Sequence, residues 1–495
     1  MPVLEKNNTL DLSKLFLEDG ERARRLALID GDWLLDLSRL PLSSAQYAAL
    51  PALALEAGLP DAIARLFAGA TVNPSEGRPA LHMALRAADP DAWPGVGKGL
   101  AADRDRFLAV ADNLHSGRTG LTDLIHVGIG GSDLGPRLVA DALDDGSAGV
   151  RVHWLSTLDG RRLDRLLARL DPARTGVVVA SKSFSTEETL LQAAALRDWL
   201  GVRFADQCWA ATAMPERATA FGISASQVLP FPDWTGGRFS LWSSVGVSAA
   251  ALIGRQAFDR LVAGAAEADR VFSSATMNQS LAMQLALMIH VLRRHLDAPT
   301  LGVIAYDPRL ALLGDYLQQL LMESLGKGVD LADQHLALAT SPLLFGGRGT
   351  DLQHSIFQAL HQGTDTHPLL LVGSLDAGHA RPDWHRVQLA HLLAQATALA
   401  RGRDDSQPCR RLPGNRPVAL LLARRLDPVT LGYLLASFEH AVFALSVLWN
   451  INPFDQWGVE EGKRLAGRYR RQLDELDSLD FDHWLQLGQR GMTEG

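Results

Sequence analysis

Cysteine is scarce in this sequence: only Cys208 and Cys409 occur among its 495 residues. Two thiols are too few for a disulfide framework or a cysteine-rich metal site within one chain, and they fit a reducing compartment. The formal net charge of −8 is the opposite of the basic excess found in proteins that bind nucleic acids or anionic membranes. We therefore expect neither of these to be the main partner.

Long apolar runs and targeting signals are also missing. No uninterrupted apolar stretch approaches the roughly 20 residues of a membrane span. Residues 1–8 lack the basic and apolar segments of a secretory signal. The sequence contains no HExxH motif, no GxSxG elbow and no convincing cluster of metal ligands. We expect a cytoplasmic protein whose chemistry uses carboxylate, imidazole, guanidinium and ammonium groups without a metal.

The chain is too long for one ordinary core, so two or more domains are expected. Residues 1–115 alternate Leu- and Ala-rich stretches with Pro and Gly breaks, which predicts helices. From Leu121 onward, short apolar runs ending in Gly, Ser or Thr alternate with helical patterns. This alternation is typical of a doubly wound parallel sheet, and hence of an α/β fold.

The predicted organisation has four parts. A helical N-terminal segment spans 1–115, a first α/β domain 116–284, a second α/β domain 285–463 and a helical C-terminal arm 464–495. A long helical stretch at 254–296, broken near Ser273, precedes the second domain. The predicted strands are 124–127, 150–155, 177–180, 300–305, 369–372 and 417–422.

Two loops at predicted strand ends are suited to an anion. The glycine loop, residues 128–132, contains Gly131 and Ser132, and its exposed amides can donate to a ligand. It is not a dinucleotide fingerprint, because Asp133 stands where the third glycine belongs. The Ser/Thr loop, residues 181–186, offers four hydroxyls and one lysine to a phosphate. A tight turn and a helix capping box are the structural alternatives for these two loops.

Two further segments carry groups for proton transfer. In the segment 234–240, Gly237 and Arg238 can bring backbone and guanidinium against a ligand, although Arg238 can equally serve a turn or an ion pair. In the helical segment 316–327, Gln319 and Glu323 are four residues apart and share one face. The alternative there is a surface ion pair between Glu323 and Lys327.

The last two segments are weaker when taken singly. His354, near a turn in 349–355, can exchange a proton near neutral pH, yet a lone histidine is more often structural. Segment 452–463 places Gln456 and Lys463 at the start of a helix, and a Pro-initiated helix with aromatic packing explains it equally well.

Taken together and in this order, the six segments resemble the glucose-6-phosphate isomerase (phosphoglucose isomerase) family, over at least 127–463. The resemblance implies two sugar-isomerase (SIS) domains with doubly wound parallel sheets, and a homodimer in the cytoplasm. It also implies reversible conversion of D-glucose 6-phosphate to D-fructose 6-phosphate in glycolysis and gluconeogenesis, with no cofactor and no metal.

The resemblance also implies a role for each candidate residue. Glu323 is similar to the base, Arg238 to the group beside the reacting carbons, and His354 and Lys463 to the ring-opening residues, with the histidine supplied by the partner subunit. The implied substrate-binding residues are Gly131, Ser132, Ser181, Lys182, Ser183, Thr186, Gly237, Gln319 and Gln456.

This chain departs from the family's usual sequence motifs at several positions. Leu321 replaces an Asp, Leu325 an Asn and Thr235 a Val. Asp351–Leu352 stands for Asn–Gly, and Ser183 and Ser185 for threonines. The proposed chemical groups are all retained.

Three other functions remain open from the sequence. A sensor of sugar phosphates needs the Ser/Thr loop but not Glu323, His354 and Lys463 together. A nucleotide-dependent dehydrogenase is suggested only by the glycine loop. An isomerase acting on mannose 6-phosphate or another hexose phosphate keeps the same chemistry.

Overall fold

The computed structural model describes residues 10–274, 279–476 and 479–493. Residues 1–9, 275–278, 477–478 and 494–495, which belong to the predicted terminal segments and first domain, lie outside this description. The chain forms two compact units, Met1–Pro453 and Phe454–Gly495.

The N-terminal part of the first unit combines helices with a β-hairpin. Its helices are α1 (Leu12–Glu18), α2 (Arg22–Arg25), α3 (Ser44–Glu56), α4 (Leu59–Phe67) and α5 (Leu100–His115). Strands β1 (Ala27–Asp30) and β2 (Trp33–Arg39) pair antiparallel across a tight turn at Gly31, whose φ is 58°. The sequence predicted only helices for 1–115, and the hairpin corrects that prediction.

The first sheet has five parallel strands. They are β3 (Asp123–Val127), β4 (Arg151–Leu155), β5 (Thr175–Ala180), β6 (Cys208–Thr212) and β7 (Val228–Pro230), in the spatial order β4-β3-β5-β6-β7. The chain leaves β3 towards β4 and returns across β3 to β5. The loops that follow β3 and β5 therefore diverge, which creates a crevice at the carboxyl edge of the sheet.

Six helices accompany this sheet: α6 (Leu134–Leu143), α7 (Gly160–Leu167), α8 (Glu187–Leu200), α9 (Phe204–Gln207), α10 (Pro215–Ala220) and α11 (Val247–Ile253). Its core contains Val127, Val177 and Val179 of the strands, packed with Ala193 and Leu196 of α8. The predicted strands 124–127, 150–155 and 177–180 are confirmed within one or two residues.

Two long helices, α12 (Arg255–Phe272) and α13 (Leu281–Arg294), join the two sheets. They confirm the predicted helical stretch and its break near Ser273.

The second sheet repeats the topology of the first and adds the N-terminal hairpin. Its parallel strands are β8 (Thr300–Ala305), β9 (Leu343–Arg348), β10 (Leu369–Ser374) and β11 (Val418–Ala423). The order is β1-β2-β11-β10-β8-β9, with β2 antiparallel to β11. The predicted strands 300–305, 369–372 and 417–422 are confirmed.

The helices of this second part are α14 (Leu313–Leu317), α15 (Gly349–Gln353), α16 (Phe357–Gln362), α17 (Pro382–Arg401) and α18 (Pro428–Trp449). Helix α18 is the one helix of the described residues that is long and apolar enough to cross a membrane. However, 89% of its apolar window is buried inside the chain, and it contains Glu439 and His440. It is the central core helix of the first unit.

The second unit consists of two helices, α19 (Glu460–Asp474) and α20 (Phe481–Thr493), after a short 3-10 turn at Trp457–Val459. Ion pairs three residues apart, such as Glu461 with Arg464, line the exposed surface of α19. The charged C-terminal helices predicted from the sequence are therefore present.

Candidate active site

The glycine loop lies directly against the backbone of Gly237 and Arg238. It leaves the buried end of β3 and enters α6 through a 3-10 turn at Gly130–Ser132. A Cβ atom on Gly131 would overlap the carbonyl group of Gly237, and one on Gly128 would lie 2.7 Å from the carbonyl oxygen of Ser132. A side chain at Gly131 would separate the two backbone segments, and one at Gly128 would distort the glycine loop itself. Glycine is thus structurally required at both positions.

The Ser/Thr loop joins the buried strand β5 to α8. The hydroxyl oxygens of Ser181 and Thr186 are 3.4 Å apart, and Ser185 donates to the hydroxyl of Ser183 at 2.8 Å. Phe184 adopts a φ of 45° and is buried in the core of the first sheet. Such a backbone conformation is uncommon outside glycine and marks a constrained loop. The hydroxyls therefore project from a loop that Phe184 anchors.

Lys182 lies among other cations. Burial lowers the pKa of its ammonium group, and the nearby Arg78 and Arg238 lower it further against the opposing carboxylates of Glu76 and Asp233. Three cations and two carboxylates therefore lie together here, and Arg78 pairs with Glu76 at 3.2 Å. Arg78 was not among the predicted residues: it comes from the N-terminal segment, with no motif around it that marks an anion site.

Arg238 connects two parts of the site. It is 4% exposed and belongs to the 3-10 helix Gly237–Trp242. Its Nε donates to the hydroxyl of Ser324 at 2.6 Å and one Nη to the carbonyl oxygen of Pro453 at 2.5 Å. The other Nη is 3.3 Å from Oε1 of Glu323. Two bonds thus fix the plane of the guanidinium while its third nitrogen faces the carboxylate.

Gln319 and Glu323 lie on a π-helical segment. Helix α14 continues as the π-helix Gln318–Glu323, a rare form that is frequent at functional sites. The amide nitrogen of Gln319 is 3.0 Å from the position of a Cβ on Gly130, so this side chain meets the glycine loop. The Glu323 side chain is 25% exposed and meets Arg238. The two residues therefore converge on the same region, as their spacing predicted.

The family departures on this helix are buried in the core. Leu321 is 1% exposed and Leu325 is not exposed at all. The polar side chains usual at these positions are therefore replaced by apolar packing, and the Glu323–Arg238 pair is present alongside it.

His354 is separate from these residues within one chain. It follows α15 at the carboxyl end of the edge strand β9, and its side chain is exposed. No hydrogen bond or ion pair joins its imidazole to another of the described residues.

Gln456 and Lys463 belong to the second unit. Gln456 precedes the turn Trp457–Val459, and the ammonium group of Lys463 is 2.7 Å from a carboxylate oxygen of Glu460. Within its own unit, Lys463 is therefore held by an exposed ion pair.

The residues described contain no group of three or more His, Cys, Asp or Glu side chains placed to hold a metal ion. The charged groups near Lys182 and Arg238 are the cations Arg78, Lys182 and Arg238 and the carboxylates Glu76, Asp233 and Glu323.

Comparisons with known proteins identify the family of this chain. The phosphoglucose isomerase family model matches residues 36–483. The glucose-6-phosphate isomerase of Stenotrophomonas maltophilia is 47% identical over 459 residues, 92% of this chain and 90% of that protein. The enzyme of the same name from Xanthomonas oryzae is 44% identical over the same share of each chain.

A solved structure has the same fold. The crystal structure of a glucose-6-phosphate isomerase from Chlamydia trachomatis superposes with a TM-score of 0.85 at 31% identity, covering 95% of this chain and 94% of that one. The chain therefore belongs to the phosphoglucose isomerase family.

Proposed function

We propose that this chain is a glucose-6-phosphate isomerase that converts D-glucose 6-phosphate and D-fructose 6-phosphate into each other. The observation that carries this proposal is the Glu323–Arg238 pair, 3.3 Å apart, beside the glycine loop and Gln319. A carboxylate that accepts a carbon-bound proton, next to a fixed guanidinium that stabilises an oxyanion, is what aldose–ketose isomerisation requires.

The phosphate of the substrate is proposed to bind in the Ser/Thr loop. Hydroxyls of Ser181, Ser183 and Thr186 would donate to its oxygens, and Lys182 would supply positive charge. The position of Lys182 within this loop, between Ser181 and Ser183, supports this placement. Binding energy gained here, away from the reacting carbons, would align the sugar for proton transfer.

The sugar is proposed to lie between the glycine loop and the π-helix. Gly131, Ser132, Gly237, Gln319 and Gln456 would contact it. His354 and Lys463 would assist opening of the ring by moving a proton between the ring oxygen and the C1 hydroxyl. The assignment of His354, Lys463 and Gln456 rests on the resemblance of their segments to the family.

Proton transfer is proposed to pass through an enediolate. Glu323 removes the proton from C2 of the open aldose and returns it to C1 of the intermediate, while the hydroxyl proton of O2 passes to O1. The guanidinium of Arg238 stabilises the charge that develops on the oxygens during this exchange. Because Ser324 and Pro453 already orient this guanidinium, little reorganisation accompanies the reaction.

Further proposals concern the domains, the oligomeric state and the location of the protein. We propose α/β domains at 116–284 and 285–463, flanked by the segments 1–115 and 464–495; the two strand sets β3–β7 and β8–β11 fall within these ranges. We further propose a cytoplasmic homodimer in which His354 completes the site of the partner. The exposure of His354 and the free thiols of Cys208 and Cys409 support these proposals.

The deciding experiment measures conversion of fructose 6-phosphate by the wild type and by Glu323→Gln, without added metal or nucleotide. We expect wild-type turnover, and a loss of roughly 10²–10⁴-fold in kcat for the variant. Glu216→Gln, an exposed residue of α10, is the matched control and should behave as the wild type.

Each outcome separates the alternatives. A wild type that binds hexose phosphates without turnover would favour a sensor, and tight binding of NAD would favour a dehydrogenase. An active Glu323→Gln would show that another group is the base. Turnover of mannose 6-phosphate by the wild type would widen the substrate range.

A further inference from the structure

Beneath the site, the first unit encloses a cluster of ionisable side chains. Arg86, Asp269, Glu439 and His440 are between 0% and 6% exposed. Arg86 donates to Asp269 through Nε at 2.9 Å and Nη2 at 2.6 Å, and through Nη1 to Glu439. His440 and Asp269 share a hydrogen bond of 2.6 Å.

Burying such a cluster in a protein core costs free energy. Taking charges out of water offsets most of their mutual attraction, and apolar residues of similar volume often give equal or greater stability. The cluster joins the segment His82–Arg86, α12 and α18, so three distant parts of the chain contribute to it. Its polar contacts with the site above suggest a role other than stability.

Two residues of the cluster, Glu439 and Arg86, contact the short 3-10 helix that carries Arg238. Oε1 of Glu439 accepts a hydrogen bond from the indole nitrogen of Trp242 at 2.8 Å. Trp242 ends the 3-10 helix Gly237–Trp242, in which Arg238 is the second residue. The guanidinium of Arg86 also lies over the Trp242 ring, 5.0 Å from its centre.

A second contact, a stack of two rings, fixes the same 3-10 helix. The ring of His82 stacks on Phe239 with 4.5 Å between the ring centres. Phe239 directly follows Arg238, so the helix is fixed from the cluster side at both Phe239 and Trp242. On the opposite side, the guanidinium of Arg238 is fixed by Ser324 and Pro453.

We infer that Glu439, held by Arg86, is a positioning residue: through Trp242 it sets the place of Arg238 relative to Glu323. This inference rests on the isomerase function proposed above. Glu439 does not touch the substrate; it acts by fixing the helix on which Arg238 stands. Displacements of about 1 Å at a reacting centre can lower a rate by roughly 10²-fold, so a rigid support for the 3.3 Å pair has a direct catalytic effect.

The test deletes the indole donor while keeping an aromatic ring. Trp242→Phe removes the hydrogen bond to Glu439, and Trp33→Phe is the matched control. Trp33 is 1% exposed, and its indole nitrogen also donates a buried hydrogen bond, at 2.9 Å to the backbone carbonyl oxygen of Thr430. The two variants therefore lose similar groups, but only Trp242 stands on the helix of Arg238.

The readout is kcat per folded molecule, with KM for fructose 6-phosphate and the unfolding midpoint measured in parallel. We expect both variants to lose stability, Trp33→Phe to keep the wild-type kcat, and Trp242→Phe to lose roughly 10–100-fold in kcat with KM changed less than about 3-fold. If Trp242→Phe does not fold, Glu439→Gln, which weakens the hold of Arg86 on this side chain, is measured instead with the same expectation.

Equal kcat values for the two folded variants and the wild type would overturn the inference and leave the isomerase proposal intact. A wild type without turnover would instead refute the proposed function itself. A fall in kcat of the same size in Trp33→Phe would also overturn the inference, because the loss would then reflect stability alone.

Discussion

At the scale of single residues, the departures from the family concern packing more than chemistry. Leu321 and Leu325 lie in the core, whereas Glu323 between them meets Arg238. Thr235 is different: its side chain is fully buried, and its hydroxyl has no hydrogen-bond partner among the described residues. A buried hydroxyl without a partner costs free energy, so this departure reduces stability.

Replacing Thr235 by Val, an isostere without the hydroxyl, is expected to raise the free energy of unfolding by about 1 kcal/mol. Thr175→Val is the matched control, because Thr175 is equally buried but donates to the carbonyl oxygen of Asp171 at 2.8 Å. The control should lose about 1 kcal/mol. Urea unfolding checks both, and a loss of stability in Thr235→Val would contradict the interpretation.

Asp133, next to the glycine loop, is expected to make stability depend on pH. It is 2% exposed, and burial raises the pKa of its carboxyl group to about 6, although Arg137 and Arg162 oppose the shift. The folded state therefore binds the proton more tightly than the unfolded state, whose pKa is near 3.8. Its contribution to stability is present below that value and is lost as pH rises through about 6.

We predict that Asp133→Asn removes this loss. Relative to the wild type, the free energy of unfolding should increase by about 1–3 kcal/mol at about pH 7.5 and by less at about pH 5. Unfolding curves at the two pH values provide the measurement, with the exposed Asp141 of α6, changed to Asn, as the control. A difference that does not vary with pH would refute the role of Asp133.

Much of the residue-level site could be read from the sequence because its motifs are local. Gly131 and Gly237 lie in glycine-rich turns, and Gln319 and Glu323 share a helix face at a fixed spacing. Arg78 could not be found in this way, since its proximity to Lys182 arises only from the tertiary fold. The same holds for the support of Arg238 by Glu439.

At the scale of elements, the sequence predicts strands where apolar runs are continuous. The buried strands β3 and β5 were found in this way. The hairpin β1–β2 was missed because it lies within a stretch read as helical, and β9 because it contains Gly346, Gly347 and Arg348. The π-helix Gln318–Glu323 could not be predicted from the sequence either, since its residue types do not differ from those of an α-helix.

Helices α12 and α18 approach so closely that glycine is required at their contact. A Cβ on Gly264 would overlap the carbonyl group of Val429, and one on Gly432 would overlap that of Leu261. We expect Gly264→Ala to lower the free energy of unfolding by roughly 1–3 kcal/mol through overpacking. Thermal unfolding measures this, with Gly160→Ala, whose Cβ meets no atom within 4 Å, as the control. A wild-type midpoint in Gly264→Ala would rule out the overpacking.

At the scale of the whole molecule, the proposal that His354 completes the site of the partner subunit can be tested with mixed dimers. If His354 completes the site of the partner subunit, a mixed dimer of Glu323→Gln and His354→Ala contains one site in which both groups are intact. Equal mixing after unfolding and refolding should then restore about a quarter of the wild-type activity, because half of the dimers are mixed and each has one complete site. Activity no higher than that of the separate variants would place His354 in the site of its own chain.

The N-terminal hairpin has a consequence for how the chain is made. Its strand β2 pairs with β11, and Trp33 donates a hydrogen bond to Thr430, 397 residues further along the chain. At synthesis rates of about 5–20 residues per second, the ribosome adds these residues in roughly 20–80 seconds. Throughout that time β2, whose Trp33, Leu35 and Leu37 are buried in the finished protein, has β1 on one side but lacks β11 on the other. The second sheet therefore cannot be completed until its last strand, β11, has been synthesised.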